Sequence, residues 1–143
     1  MNFSDFITIH GKRVNKEHFI HLIQVSKTDG TISPVELKVL HKEGRKFGLT
    51  DPEIDNLIVS ESKHDFHAPY SLKDKFELLY NIAEMILADD VITESEERII
   101  RRFAIEAGFD DNTIDILLVL LFEGIKNNEK EESLLAKFKS QIL

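Results

Sequence analysis

Asp29-Gly30-Thr31-Ile32-Ser33-Pro34-Val35-Glu36 is followed, when 60 is added to each number, by Asp89-Asp90-Val91-Ile92-Thr93-Glu94-Ser95-Glu96. Asp, Ile and Glu stand at matching places, and Ser33 is answered by Thr93. The match continues outward without a gap. Glu17, Gly48, Asp51, Ile54, Asp55 and Leu57 return as Glu77, Gly108, Asp111, Ile114, Asp115 and Leu117, and Lys38 and Lys42 become Arg98 and Arg102. A fixed-period repeat decides architecture before any local reading does. The chain therefore reads as two copies of one unit, residues 15–59 and 71–124, each built around an acidic turn.

The turns lie between helical patterns. Ser33 is a good N-cap, Pro34 suits the first helical position, and Glu36 stands where a capping-box partner belongs. Thr93-Glu94-Ser95-Glu96 carries the same box, and Thr50-Asp51-Pro52-Glu53 repeats the starting signal. Gly48 and Gly108 follow the last apolar positions and accept the left-handed conformation that ends a helix. Apolar spacing then predicts helices near 16–28, 34–47 and 51–59, answered by helices near 76–88, 94–107 and 111–119. Ser71 is a further cap. Residues 113–124 are apolar nearly all round, which predicts burial. Asn127-Asn128 breaks the chain, and a last amphipathic helix is expected over 131–142.

Residues 2–14 admit two readings, a ribbon turning at Gly11 or a short helix packed on the core; the short helix is preferred. Residues 60–70 read as a polar link. The fold expected is all-α, about seven helices in a bundle with an internal pseudo-two-fold repeat, forming one domain over 1–143.

Composition narrows the function classes. The chain has 143 residues, is 42% hydrophobic and 31% charged, and carries a net charge of -8. That is the balance of a globular protein able to bury roughly 70% of its unfolded surface. An acidic chain without a Lys/Arg block argues against nucleic-acid binding. With no cysteine, disulfides, thiolate metal sites and a Cys nucleophile are excluded. No secretory signal opens the chain. The longest apolar run, Ile116 to Phe122, falls far short of the roughly 20 residues that span a bilayer. A cytoplasmic protein is expected.

Asp29 and Glu36 in one turn, with Asp89, Asp90 and Glu96 in the other, offer oxygen donors of the kind that hard divalent cations take. Capping explains Glu36 and Glu96 equally well, and Asp29 and Asp89 can bond their own turn backbones. An EF-hand is excluded, because loop positions one and three would be Val25 and Lys27, then Met85 and Leu87.

The doubled pattern, Asp29-Gly30-x-Ile32-x-x-x-Glu36 with Gly48 and Asp89-x-x-Ile92-x-x-x-Glu96 with Gly108, resembles the TerB-like tellurite-resistance family. It is also similar to the N-terminal module of DjlA co-chaperones. The likeness covers about Glu17 to Gly124. It implies an all-helical module of bacterial stress and metal-resistance systems, with a metal-chelating acidic cluster at Asp29, Glu36, Asp89 and Glu96 and a protein partner. Asp90 departs from the family pattern, which has Gly there.

Other chemistry is sparse. His18 and His21, and again His64 and His67, have two-ligand spacing, but without a third ligand they read as surface residues. His10 and His41 have no partner in view. No phosphate-cradling loop, nucleophile elbow or His-Glu-x-x-His is present, so a non-enzymatic role is expected. Two readings stand: a stress module binding a divalent cation through its acidic turns, or a metal-free interaction module whose carboxylates only cap helices.

Overall fold

The computed structural model describes residues 6–7, 13–14, 16–26, 32–61, 64–86 and 93–142. Among the described residues seven helices form the bundle: α1 Lys16–Ser26, α2 Pro34–Arg45, α3 Asp51–Glu61, α4 Leu72–Ile86, α5 Glu94–Glu106, α6 Asp111–Lys126 and α7 Glu131–Ile142. The all-α expectation holds. The short helix preferred within 2–14 does not: β1 (Phe6–Ile7) pairs antiparallel with β2 (Arg13–Val14), Phe6 facing Val14. Phe6, Ile7 and Val14 are aromatic or β-branched and favour extended pairing.

The repeat extends from sequence into structure. α2 and α5 start at Pro34 and Glu94, and α3 and α6 start at Asp51 and Asp111. Each of these pairs is separated by 60. Every residue buried in α1, α2 and α3 has a buried counterpart, Phe19 with Leu79, Leu40 with Ile100 and Ile54 with Ile114 among them. Gly48 and Gly108 have φ of 81° and 92°. Just beyond them, Leu49 N donates to Gly44 O and Phe109 N to Ala104 O, the six-to-one bond of a helix-ending Schellman turn. The expected approach of Ile32 and Ile92 lies outside the described residues, since Ile92 is not among them.

Local chemistry explains the starts. Ser33, Thr50, Ser71 and Thr93 each accept from the backbone N–H three residues on. Asp110 precedes α6 without a side-chain cap bond. Asn128, with φ 60°, turns the chain into α7. α7 closes the far side of the core: Phe138 packs against Phe76 and Phe109 at 6.0 and 5.9 Å between ring centres.

Two expectations need correction. α6 is not buried all round, because α7 covers one side and leaves Ile116 and Val119 40% and 56% exposed. The polar link also contributes to packing, for Phe66 stands 5.1 Å from the Phe103 ring. Among the described residues, no helix is long and apolar enough to cross a membrane.

Candidate functional site where the two halves meet

The N-terminal turns of α2 and α5 carry the paired carboxylates. Glu36 Oε1 accepts from Ser33 N at 3.2 Å, while Glu36 N donates to Ser33 Oγ at 3.2 Å. Glu96 Oε1 accepts from Thr93 N at 3.0 Å, and Glu96 N donates to Thr93 Oγ1 at 3.1 Å. Both capping boxes read from the sequence are complete. Each box satisfies two backbone amides that the helix start would otherwise leave open.

The second oxygen of each carboxylate reaches across to the other half. Glu96 Oε2 accepts from Lys42 Nζ at 3.1 Å, and Glu36 Oε2 accepts from Arg102 Nη1. Lys42 and Arg102 are matching positions in the two copies, as are Glu36 and Glu96. The pairing is therefore reciprocal, as contacts across a two-fold relation are. Glu96 is 1% exposed and Glu36 14%, so neither charge is left to water.

Further cations hold the ends of the preceding helices. Arg102 Nη1 also donates to Ser26 O at 3.2 Å, at the end of α1. Lys46 Nζ donates to Met85 O at 2.7 Å, near the end of α4, and to Glu43 Oε1 at 2.8 Å. Each half thus supplies a cation to the helix end that leads into the other half's acidic turn. Glu43 itself is wholly buried. Desolvation pushes its carboxyl up to about 7 against the pull of Lys46, with Glu96 adding to the rise and Lys42 opposing it.

Of the four residues expected to hold a metal, the structure brings Glu36 and Glu96 to this interface, each with its own cation. Asp29 and Asp89 lie outside the described residues. Among the described residues no three His, Asp or Glu side chains surround a common point. A cavity of about 210 Å³ lies beside the interface, lined by Ser33, Glu36, Ser95, Arg98 and Arg102. Its two guanidinium groups give it a cationic wall.

Sequence reasoning missed two features. Glu43 drew no attention in the sequence, yet it stands four residues from both Val39 and Phe47, on the apolar stripe, and its match in the second copy is Phe103. That alignment marks a core position. His41 does have partners: Nδ1 lies 3.0 Å from Asp51 Oδ1 and Nε2 2.7 Å from Asp55 Oδ1. Desolvation lowers its pKa, but the bonds to Asp51 and Asp55 outweigh this and raise it. Two carboxylate partners suit the imidazolium, which donates through both nitrogens. The second copy places Arg101 and Asp115 at the matching positions, 2.6 Å apart.

A separate groove of about 900 Å³ runs between α6 and α7, lined by Ile116, Val119 and Leu120 together with Glu123, Glu129 and Lys137. No protein-family model, curated protein or solved structure matches the chain.

Proposed function

We propose that this chain is a TerB-like, non-enzymatic module of bacterial stress and tellurite resistance that acts in the cytoplasm by binding a protein partner, with Glu36 and Glu96 joining its halves. The observation that supports this reading is the double commitment of those carboxylates. One oxygen of each completes a capping box and the other takes a cation from the opposite half. A divalent ion held by Glu36 and Glu96 would have to displace Arg102 and Lys42 from those carboxylates. The α6–α7 groove supports an interaction role, since Ile116 and Val119 leave apolar surface open in a groove that charged residues also line.

Thermal melts with millimolar Ca²⁺, Mg²⁺ or Mn²⁺ test the choice between the two readings. The metal-free module predicts unchanged midpoints. A rise that Asp29→Asn and Asp89→Asn abolish would restore the shared cation site of Asp29, Glu36, Asp89 and Glu96, because an ion binding only the folded state stabilises it by mass action.

A further inference from the structure

We propose that His18, His21 and His67 bind one divalent transition-metal ion of the zinc or nickel class. The four His residues of the two sequence pairs looked unrelated, lying on a helix and in a link. The structure brings three of them to one cavity of about 320 Å³, together with Asp74, Glu77 and Asn81.

The placement follows from packing. His18 and His21 are three residues apart on α1 and share a helix face. Phe66 inserts its ring between the His21 imidazole, at 5.4 Å and 71°, and the Phe103 ring. Anchoring Phe66 delivers the next residue, His67, to the same cavity. α4 supplies the opposite wall through Asp74, Glu77 and Asn81.

The chemistry of the wall selects the ligand. Among the described residues, three imidazoles and two carboxylates line it, and no Lys or Arg does. Neutral imidazole nitrogens with a carboxylate are the donor set of zinc and its neighbours, whereas Ca²⁺ and Mg²⁺ prefer oxygen alone. Two buried polar atoms on this wall, His21 Nδ1 and Asn81 Oδ1, have no hydrogen-bond partner among the described residues. Asn81 is 5% exposed. Buried polar atoms left unpaired are costly, and a bound ion with its water shell answers both. Burial lowers the His21 pKa, against the opposing charge of Glu17, and so favours the neutral form that ligates.

The site closes on binding. Among the described residues no three donors already surround one point, and His18 Nε2 lies 3.0 Å from Asn81 Nδ2. His67 is exposed, so its side chain can turn toward the α1 pair between staggered rotamers. Asp74, Glu77 or water then fills the fourth position.

Zn²⁺ alone, titrated into the full chain at pH 7 by calorimetry and followed by imidazole nitrogen NMR, tests this. One saturating site is expected, shifting His18, His21 and His67 and leaving His10, His41 and His64 in place. His67→Ala should weaken binding roughly tenfold or more with unchanged circular dichroism, since even outer-shell losses cost that much. Glu36→Gln should leave the affinity unaltered, which separates this site from the acidic turns. Absence of saturable binding, affinity that survives His67→Ala, or shifts centred on His41 or His64 would overturn the proposal.

Discussion

Lys42 Nζ and Glu96 Oε2 stand 3.1 Å apart across the two halves, and the residues matching them, Arg102 and Glu36, make the same pair in the opposite sense. The Lys42 side chain is 36% exposed and that of Glu96 is 1% exposed. The carboxylate therefore depends on its partners for solvation, while the ammonium can return to water. This asymmetry sets what each substitution does.

Glu96→Gln keeps an oxygen for Thr93 N but removes the charge. The expected loss is about 1.5–3 kcal/mol, the range for a hydrogen bond to a charged group. Lys42→Met should cost a similar amount by stranding the buried carboxylate. The double variant should cost less than the sum, because neither partner is then left unanswered. Urea denaturation of the four proteins gives the cycle. Strictly additive losses would mean that the pair contributes no coupling.

The caps carry a separate prediction. Ser33→Ala and Thr93→Ala each remove one side-chain acceptor from a helix start and leave the cross-half pairs in place. Each should lower stability by about 0.5–2 kcal/mol in denaturant melts. Unmoved midpoints in both variants would show that these boxes add nothing to the helix starts.

These caps were legible in the sequence because a capping box is written within four residues. The helix ends at Gly48 and Gly108 were legible for the same reason. The cross-half pairs were not. Lys42–Glu96 and Arg102–Glu36 join residues far apart in the chain, and nothing local distinguishes Lys42 from any exposed lysine on α2. Only the arrangement of α2 against α5 creates those contacts. His67 was equally hidden, since its position depends on Phe66, which lies in a segment that otherwise reads mostly as polar. Glu43 could have been found. The repeat sets it against Phe103, and a core residue in one copy is evidence of a core position in the other.

That same comparison yields a packing prediction at Gly44. A Cβ there would meet Ile54 Cδ1 at 2.7 Å and Phe19 Cζ at 2.9 Å. The second copy has Ala104 at this position, with Leu79 in place of Phe19 and Ile114 in place of Ile54. The larger ring occupies the space that the second copy gives to a methyl group. Gly44→Ala should cost about 1–3 kcal/mol by overpacking. Adding Phe19→Leu to Gly44→Ala should recover part of that loss, although Phe19→Leu alone is destabilising. Thermal melts of the three variants decide it, and additive losses would refute the exchange of volume between the two sites.

The last prediction concerns pH. Burial raises the Glu43 carboxyl from 4.5 to about 7. The folded state therefore holds this proton more tightly than the unfolded chain does. Its contribution to stability is full below about pH 4.5 and is lost as pH rises through about 7. A difference of this size corresponds to about 3 kcal/mol. His41 acts in the same direction at the upper end, because its folded pKa is also raised, with Asp51 and Asp55 outweighing desolvation. Its contribution is present below the ordinary histidine value and lost above the raised one. Stability should therefore fall between pH 5 and pH 8, a range in which many proteins are near their most stable. Glu43→Gln keeps the shape and a polar group for Lys46 but carries no titrating proton. Its stability should vary less across that range, and it should exceed the parent at pH 8. Urea melts at half-unit intervals for both proteins measure the two slopes. Parallel slopes would show that Glu43 titrates alike in the folded and unfolded chains, and that Lys46 keeps the buried carboxylate charged.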